Sequence, residues 1–535
     1  MRRALLLLTS LLGACGPHGH SSSGPRPAKL VVLLVIDQLP TWAFERDRAL
    51  FTGGFARLLR EGAYVRAGEL PYGNPFTAVG HASIATGASP NVHGIVGNTW
   101  YHRDVAKDVA AETDPAAPVF AVTGAAPLVD TTASGAALRV DGVADALRAA
   151  HPEAHAIAIA LKARGAVFVA GRQPELAIWY EPRAGGMTTS RAYAAEVPAW
   201  LRTLAQTSPP RRFVGQTWTA LDPALLARAT QIPDDGAGET DLAGLGTTFP
   251  HPVADEDAML HTPFGDRIVL ETVEAALAAL PLGEDDTPDL LAISLNAHDY
   301  VGHIFGPDSW EVLDLTLRLD RALDALFTSL DRKVGADGWA LVMTSDHGGT
   351  PIVERSPYPD ARRITTASVV LAVNAALTPL LGEGAWVAKI SSNQLYLAST
   401  VSEAQRDRAL AIATTAILAM PGIERVFPIR GTTGHCETRP ALAQAICLGL
   451  APDNAGDLYI VAKRGSQVTD YAAGTHHDAP TSDNREVPIL VRAPGLAPRT
   501  IARASFLQVA PTVAALLGVP PPSAATSPPL FGLRR

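Results

Sequence analysis

Net positive charge, cysteine and long apolar segments are all scarce in this chain of 535 residues, and each scarcity limits what it can be. The formal net charge of −9 argues against a general binder of nucleic acid or of anionic membranes. Beyond the N-terminus, no segment is long and apolar enough to cross a membrane. No internal repeat is found. An anionic substrate would need local positive charge from metal ions or from a few basic side chains.

The remaining composition is that of an ordinary globular protein. Hydrophobic residues make up 47% of the chain and charged residues 18%, which is too apolar a balance for a disordered protein. A chain of this length can bury a large core. The sequence therefore predicts one large folded unit, which we place at residues 29–535.

The first residues have the pattern of an export signal. MRRALLLLTSLLGACG has a basic start, a short apolar run and the ending LGAC, which resembles the bacterial lipoprotein signal. The resemblance implies a signal peptide at residues 1–15, a lipid on Cys15 and a place in the bacterial cell envelope, either periplasmic or anchored to the outer membrane. An ordinary secretory peptide with an incidental cysteine is the alternative. Residues 16–28, which begin GPHGHSSSGPRP, are predicted to form a flexible tether.

The chain has three cysteines. If Cys15 carries a lipid, only Cys436 and Cys447 remain. An oxidising envelope compartment favours a disulfide between these two, with a pair of buried free thiols as the alternative.

Four short apolar runs recur along the chain, and polar residues follow each of them. They are KLVVLLVIDQ, which reaches Asp37; HAIAIALKARG, which contains Lys162; DLLAISLNAHD, which reaches Asp299; and WALVMTSDHGG, which contains Asp346. Such runs predict strands buried on both faces of a mostly parallel sheet. Helical patterns lie between them, including a leucine-rich one for which Asp308 is a possible N-cap. The predicted fold class is α/β, a three-layer α/β/α sandwich.

Two segments interrupt this rhythm of strands and helices. Residues 175–265 are rich in Pro, Gly and Trp and are predicted to form an insertion over one end of the sheet. Within residues 355–470, AKISSNQLYLAST, SEAQRDRALAIATTAILAM and IERVFPI predict a strand, a helix and a strand. The second segment is therefore predicted to be a small α+β subdomain.

Potential metal ligands collect at the predicted carboxyl ends of the strands, where open α/β sheets bind their ligands. The motif HDYVGH places an aspartate and a histidine four residues apart, on one face of a helix. Each residue alone would more often be a helix cap or a polar turn residue, so the prediction depends on the joint pattern. Mixed carboxylate and imidazole ligands suit zinc better than manganese or iron. The candidates are Asp37, Asp299, His303, Asp346, His347, His476 and His477.

Five ordered motifs resemble the alkaline phosphatase superfamily, in its type I phosphodiesterase/nucleotide pyrophosphatase branch. They are VIDQL, NPFTAVGHASIATGASPNVHGIVGN, HDYVGHIFGP, TSDHGG and HDAPTSDNREVPIL. The resemblance implies two Zn²⁺ ions, and it places Thr77 beside the first of them. The implied ligands are Asp37, Asp346 and His347 for the first zinc, and Asp299, His303 and one histidine of the THHD pair for the second.

The choice within the THHD pair favours His477, because the family's ligand falls there when counted back from VPIL. The family has a glycine after this histidine, whereas this chain has Asp478. The departure leaves His476 as an alternative.

The resemblance makes Thr77 the expected nucleophile, which would carry a phosphothreonine intermediate. Small residues after it would let a helix N-terminus approach a phosphate closely. A sulfatase is disfavoured because it would need a cysteine or serine at this position. The other hydroxyls and histidines of the stretch are interpreted as helix-face, turn or supporting residues: Ser83, Thr86, Ser89, His81 and His93.

Three further residues bear on the substrate class. Asn98 matches the asparagine that contacts a phosphoryl oxygen in this branch. Lys162 and Arg164 lie two apart, on one side of a predicted extended segment, where they would bind the extra charge of a monoester. Before any resemblance, a surface pair that solvates a strand end is the simpler interpretation. LKARGAVFVAGR followed by AIWYEPRAGGMTTSRAY, however, resembles the periplasmic PafA-type alkaline phosphatases, whose Lys-x-Arg pair marks monoesterases.

The predicted function is therefore a zinc-dependent alkaline phosphatase that acts on small phosphate monoesters, as a monomer without a nucleic-acid partner. A nucleotide pyrophosphatase/phosphodiesterase of the same superfamily is the alternative, with the Lys-x-Arg pair pointing elsewhere. A surface lipoprotein that keeps an inactive phosphatase fold is a third possibility, although every expected ligand type is present.

Overall fold

The structure is a computed structural model that describes residues 28–124 and 126–533. The signal predicted at residues 1–15, Cys15 and residues 16–27 of the predicted tether lie outside the described residues. The last tether residue, Ala28, is buried, and its amide donates to the carbonyl of Leu516 at 3.3 Å.

Strands occur along the whole described chain. In chain order they are β1 (Leu30–Ile36), β2 (Ala63–Glu69), β3 (Thr99–His102), β4 (Lys107–Ala110), β5 (Pro118–Phe120), β6 (Pro127–Thr132), β7 (Ala156–Ala160), β8 (Leu176–Glu181), β9 (Gly186–Thr188), β10 (Thr217–Trp218), β11 (His251–Pro252), β12 (Asp289–Leu295), β13 (Trp339–Thr344), β14 (Arg363–Ile364), β15 (Val387–Ser391), β16 (Gln394–Leu397), β17 (Ile423–Pro428), β18 (Leu458–Ala462), β19 (Gln467–Val468), β20 (Glu486–Arg492) and β21 (Arg499–Ser505).

Helices connect most of these strands. In chain order they are α1 (Thr41–Asp47), α2 (Gly54–Glu61), α3 (Thr77–Thr86), α4 (Pro90–His93), α5 (Val143–Ala150), α6 (Ala163–Val169), α7 (Ala199–Thr207), α8 (Pro223–Thr230), α9 (Glu256–Leu260), α10 (Pro263–Ala279), α11 (Ala297–Phe305), α12 (Trp310–Val334), α13 (Thr366–Leu381), α14 (Glu403–Leu418), α15 (Ala441–Leu448), α16 (Ser482–Arg485) and α17 (Val509–Leu517).

A nine-stranded sheet of order β21-β2-β20-β13-β1-β12-β7-β8-β9 forms the centre of the molecule. Its middle strands β13, β1, β12, β7 and β8 run parallel to one another, whereas β20 and β9 are antiparallel to their neighbours. The carboxyl ends of the five parallel strands therefore meet at one edge of the sheet, and this edge carries the predicted ligands.

Helices cover both faces of this sheet, as the apolar runs predict. In β1, Leu30, Val32, Leu34 and Ile36 pack into a core with α10, α11 and α12. The alternate residues Val31, Leu33 and Val35 pack into a second core with α3, α6 and α17. A strand with period-two geometry that is buried on both sides has to be apolar throughout, which is why LVVLLVI has no polar residue. The predicted α/β/α sandwich is confirmed.

Two details of the sequence-based description differ from the structure. Leu176–Glu181 and Gly186–Thr188 are strands of the central sheet, although the sequence placed them in the insertion at residues 175–265. The long helix α12 is capped by Ser309, whose hydroxyl accepts from the amide of Val312, and not by Asp308. Asp308 instead accepts hydrogen bonds from Arg355.

A second sheet of order β15-β16-β18-β17 lies within the segment predicted as an α+β subdomain. Helices α13 and α14 cover it and share an apolar core with its strands. The predicted strand, helix and strand correspond to β15–β16, α14 and β17. Among the described residues, no helix combines the length and apolar character that a bilayer span requires.

The segment between β17 and β18 leaves the second sheet and contacts the loop that precedes α3 of the central α/β unit. Cys436 and Cys447 form a disulfide there, so the expectation of a bond rather than two free thiols holds. Helix α15, which contains Cys447, packs against the loop before α3. In that contact the amide of Gly73 donates to the carbonyl of Ala445 at 2.8 Å.

Candidate active site

Residues that follow three neighbouring strands meet at the carboxyl edge of the central sheet. Asp37 follows β1, Asp346 follows β13, and Asp299 lies in the first turn of α11 after β12. All three carboxylates are buried. Because β1 lies between β13 and β12, the chain brings together carboxylates that are far apart in sequence.

The first group of candidate ligands consists of Asp37, Asp346 and His347. The His347 Nε2 atom lies 3.3 Å from Asp37 Oδ1 and 3.5 Å from Asp346 Oδ2. Both oxygens are buried; Asp37 Oδ1 has no hydrogen-bond donor among the described residues, and Asp346 Oδ2 has only His81 Nδ1 nearby, at 3.3 Å. A buried carboxylate oxygen without a donor is costly unless a cation faces it, so this group fits a metal ion.

The second group surrounds Asp299. Its Oδ1 atom lies 3.6 Å from His477 Nε2 and 3.3 Å from His303 Nε2. The ligand atoms of Asp299, His347 and His477 all lie within 4.8 Å of one another, so His347 is close to both groups. His303 joins the second group through its contact with Asp299, whereas His476 is in neither cluster of ligand atoms and its ring packs 5.3 Å from the ring of His303.

Hydrogen bonds fix the tautomer of the three histidines. The Nδ1 atoms of His303, His347 and His477 face the carbonyls of Thr475, Gly348 and Pro75 at 2.8, 2.9 and 2.7 Å. A carbonyl only accepts, so each Nδ1 carries a proton, and Nε2 is the ring atom that faces the carboxylates. This is the arrangement of metal-ligating histidines.

The electrostatics of the site also favour a bound cation. Burial, together with Asp299 and Asp346, raises the pKa of Asp37 well above its usual range. Burial opposes the charge of Asp346 as well, but His347 and His81 lower the pKa of Asp346 to about 2. Burial lowers the pKa of His347. Burial also lowers the pKa of His477, whereas Asp299 raises the pKa of His303 against the effect of burial. The neutral rings of His347 and His477 beside crowded carboxylates leave negative charge that a divalent ion would balance.

Thr77 is the first residue of α3 and lies beside these ligands. It is buried, and its Oγ1 atom is 3.5 Å from His347 Nε2. One turn later, a Cβ atom on Gly80 would lie 2.2 Å from the carbonyl oxygen of Asp346. The glycine is therefore needed for α3 to approach the loop after β13, which explains the small residues of this stretch.

The other polar residues near Thr77 support the helix. Asn98 Oδ1 accepts from the amide of Ala78 at 2.8 Å, which places the Asn98 side chain at the start of α3. Ser83 Oγ and His93 Nε2 contact each other at 3.0 Å, and Thr86 donates to the carbonyl of Ala82 within the helix.

The prediction that Lys162 and Arg164 lie on an extended segment is wrong, because helix α6 begins between them. Lys162 is the N-cap residue of α6, and Arg164 lies in its first turn. Lys162 Nζ lies 2.9 Å from Asp37 Oδ2 and also contacts the carboxylate of Asp299. These carboxylates raise the pKa of Lys162 although burial alone would lower it, so the ammonium stays charged. Arg164 Nη2 lies 3.3 Å from Glu112 Oε1.

One cavity of about 730 Å³ joins the nucleophile candidate to the basic pair. Its wall holds Thr77, Asn98, Glu112, Lys162, Arg164, Asp299, His303 and His477. Aromatic side chains, including Trp179, Tyr300 and Tyr471, line it as well. The cavity therefore offers both charged groups for a phosphoryl group and apolar surface for an ester group.

Three residues that contact the site were not among the sequence-based candidates. Gln38 Nε2 donates to Asp299 Oδ1 at 2.6 Å, Asn296 Nδ2 donates to Asp37 Oδ2 at 2.9 Å, and Glu112 pairs with Arg164. Gln38 and Asn296 lie close to the ends of predicted strands, and this position could have identified them as site residues. Nothing in the sequence connects Glu112 to the site.

The fold and this site define a class of protein. A hydroxyl at a helix N-terminus, two adjoining carboxylate–imidazole groups and a basic pair lie in one cavity at the carboxyl edge of an α/β sheet. These are the parts of a metal-assisted hydrolase that acts on phosphate esters.

Residues 31–486 match the type I phosphodiesterase/nucleotide pyrophosphatase family, and the chain belongs to that family. It is 29% identical to the alkaline phosphatase PafA of Elizabethkingia meningoseptica, over 98% of this chain and 97% of the relative. It is 31% identical to the alkaline phosphatase PhoV of Synechococcus elongatus, over 92% of this chain and 91% of the relative. The crystal structure of PafA superposes with a TM-score of 0.86 at 28% identity, covering 96% of this chain and 100% of PafA.

Proposed function

We propose that this protein is a zinc-dependent alkaline phosphatase that hydrolyses phosphate monoesters through a phosphothreonine at Thr77. As an enzyme it is a phosphoric monoester hydrolase, and its full-length similarity to PafA and PhoV supports this. One observation carries the proposal. Lys162 and Arg164 line the same cavity as Thr77 and Asn98, so two cations face the position of a transferring phosphoryl group.

The residues present fit two zinc ions. Asp37, Asp346 and His347 would hold one, and Asp299, His303 and His477 would hold the other. Bound there, zinc would stabilise negative charge on the attacking and leaving oxygens. The unpartnered Oδ1 atom of Asp37 and the Nε2 atoms of His347 and His477, whose Nδ1 atoms face carbonyls, support this assignment.

The chain's own residues prepare the substrate for displacement. Thr77 Oγ gives up its proton and attacks the phosphorus while the bond to the leaving oxygen breaks, and the leaving oxygen takes up a proton as the alcohol departs. Water then attacks the phosphothreonine, the bond between phosphorus and Thr77 Oγ breaks, and Oγ regains a proton as phosphate is released. Thr77 stands at the N-terminus of α3, where the helix dipole would favour the negative charge of a phosphoryl group. Asn98, fixed by the amide of Ala78, binds a nonbridging oxygen at the same end of the helix.

Lys162 and Arg164 select the monoester. A monoester dianion presents one more charged oxygen than a diester, and a lysine with an arginine can bind it by charge-assisted hydrogen bonds. Glu112 pairs with Arg164, and Asp37 and Asp299 contact Lys162, so each cation is held at the cavity wall.

A phosphodiesterase is the second candidate function. Lys162 already contacts Asp37 and Asp299, and a lysine used only to neutralise these carboxylates would leave the diester and the monoester equally acceptable. The apolar surface of the cavity could hold a second ester group.

Comparison of two substrates separates these functions. We expect zinc-loaded enzyme to prefer p-nitrophenyl phosphate over methyl p-nitrophenyl phosphate in kcat/KM. In Lys162→Ala/Arg164→Ala, the monoester-to-diester ratio should fall roughly 10²- to 10⁴-fold, because two charged hydrogen bonds contribute about 1.5–3 kcal/mol each. Lys463→Ala/Arg464→Ala removes the same charges from exposed positions and should leave the ratio unchanged. A diester preference that ignores Lys162 and Arg164 would establish the phosphodiesterase instead.

The location proposed for the enzyme is the bacterial cell envelope, where a lipid on Cys15 would be its only membrane attachment. It would act there as a monomer on small-molecule esters. Labelling with radioactive palmitate should mark the wild-type protein and not Cys15→Ser. Equal labelling of both would contradict the anchor.

A further inference from the structure

Asn296 occupies the junction between the strand ends that carry the site. It lies directly after β12 and is fully buried. Its Oδ1 atom accepts from the amides of Leu161 and Lys162, each at 3.0 Å. Its Nδ2 atom donates to Asp37 Oδ2 and to Ser294 Oγ, each at 2.9 Å. Both donor hydrogens and both acceptor sites of the amide are therefore used.

The two hydrogen bonds that Asn296 accepts from Leu161 and Lys162 take the place of backbone hydrogen bonds beyond the end of the β7–β12 ladder. Strands β7 and β12 are registered as far as Ala160 and Ser294, where their ladder ends. The next two amides on the β7 side are those of Leu161 and Lys162, and the Asn296 side chain binds both. The backbone from which Lys162 extends is thus fixed by one side chain, immediately before α6 begins.

The other end of the Asn296 amide leads to the nucleophile candidate. Ser294 Oγ lies 2.7 Å from His81 Nε2, and His81 Nδ1 lies 2.8 Å from the carbonyl of Thr77. That carbonyl only accepts, so His81 Nδ1 carries the proton and Ser294 donates to Nε2. The directions agree along the whole chain of bonds, from Asn296 through Ser294 and His81 to Thr77.

From these contacts, and on the basis of the proposed function, we propose that Asn296 is the positioning residue that sets the monoester preference. It holds the start of α6 at a fixed distance from the nucleophile and from Asp37. Without its Oδ1 acceptor, Lys162 and Arg164 lose their register with the phosphoryl group. Loss of the Nδ2 bonds to Asp37 and Ser294 acts on groups that both substrates use, so it cancels in the monoester-to-diester ratio. The kcat/KM for the monoester should therefore fall more than that for the diester, because the diester makes no use of the basic pair.

The test measures kcat/KM for p-nitrophenyl phosphate and methyl p-nitrophenyl phosphate in zinc-loaded enzyme. In Asn296→Ala, the monoester-to-diester ratio should fall about tenfold or more, since two hydrogen bonds to the Lys162 segment are lost. Introduced into Lys162→Ala/Arg164→Ala, the same change should alter the ratio by less than about twofold, because the residues it positions are already gone.

Two more variants keep the test decisive if Asn296→Ala folds poorly. A Cβ atom on Gly165 would lie 3.4 Å from Asn296 Nδ2 and 3.2 Å from Ser294 Oγ, so Gly165→Ala should displace α6 slightly and lower the ratio in the same direction. Asn374→Ala is the matched control, because Asn374 Oδ1 also accepts from two successive amides, those of Trp386 and Val387, in the second sheet. It should leave the ratio unchanged.

The outcomes distinguish the two proposals. If Lys162→Ala/Arg164→Ala lowers the ratio while Asn296→Ala and Gly165→Ala do not, the role of Asn296 is wrong and the phosphatase assignment stands. If the double variant itself leaves the ratio unchanged, the monoesterase assignment fails first, and the role of Asn296 fails with it.

Discussion

His476 and His477 are neighbours in the sequence with different surroundings in the site. His477 Nε2 faces Asp299, and its Nδ1 is held by the carbonyl of Pro75. The ring of His476 instead packs between His303 and Tyr471, at 5.3 and 5.6 Å between ring centres. Burial lowers the pKa of His476 to about 3, so it stays neutral. His476 therefore lines the cavity as a neutral ring outside both clusters of candidate metal ligands.

This difference predicts the metal content of two matched variants. His477→Ala should bind about one zinc fewer per chain than the wild type, because Asp299 loses one of its imidazole partners. His476→Ala should keep the full complement. Elemental analysis after dialysis against a weak chelator measures the zinc content of both variants. Zinc loss in His476→Ala but not in His477→Ala would show that His476, and not His477, is the metal ligand.

At the scale of elements, α15 links the second sheet to the nucleophile candidate. Its Ala445 carbonyl accepts from Gly73, and Asn74 Nδ2 donates to the Gly449 carbonyl just beyond it at 2.9 Å. Asn74 Nδ2 also donates to the carbonyl of Val96, two residues before Asn98. The loops before Thr77 and before Asn98 therefore share one support, and the disulfide closes the turn that carries it.

Removal of the disulfide should loosen this support. A bond across a sequence separation of 11 stabilises by about 2–3 kcal/mol in the chain-entropy model. Cys436→Ser/Cys447→Ser should lower both the thermal midpoint and kcat, and reductant should shift the wild type toward the variant. The variant itself should not respond to reductant. Unchanged kcat in the folded variant would show that α15 does not support the nucleophile loop.

The elements that the sequence predicts best are those whose burial leaves an unbroken pattern. Leu30–Ile36, Asp289–Leu295 and Trp339–Thr344 are apolar because both of their faces are covered, and parallel pairing places their ends together. The strand Leu176–Glu181, which pairs with the edge strand Gly186–Thr188, was missed because it opens a segment rich in Pro and Gly. The KARG stretch at the start of α6 is too short to show a helical period, so its helix was missed as well.

The connections within the site could not be predicted from the residues alone. Asn296 accepts from an amide 134 positions away, and Gln38 donates to a carboxylate 261 positions away. Such partners depend on which strands become neighbours, and a hydrophobic pattern carries no information about strand order. The motif resemblance supplied candidate ligands, but not the amides and carboxylates that orient them.

At the scale of the whole molecule, stability should depend on pH through Asp266. This carboxyl is buried beneath α11, where it accepts from the amide of Ala297 at 3.0 Å. Burial raises its pKa from an ordinary value of 3.8 to about 7, so the folded state binds the proton more tightly than the unfolded state. Its stabilising contribution is complete below about pH 4 and is lost as the pH rises through about 7.

Asp266→Asn should therefore stabilise the protein in alkaline solution. The gain at pH 9 should be on the order of 4 kcal/mol, for a shift of about three pKa units, and it should vanish near pH 4. Thermal midpoints at the two pH values measure it. Asp320→Asn is the contrast, because Asp320 accepts from the amides of Thr52, Gly53 and Phe55 and its loss should destabilise at both values. Destabilisation of Asp266→Asn at pH 9 would contradict the assignment.

The order of the ligands along the chain has a consequence for biosynthesis. Asp37 comes from the first strand of the central sheet, whereas His477 lies just before β20, one of the last strands made. A nascent or prematurely terminated chain cannot assemble the catalytic centre, however well its early parts fold. Hydrolysis of a chromogenic ester should thus report only chains whose synthesis has passed His477 and whose central sheet has formed.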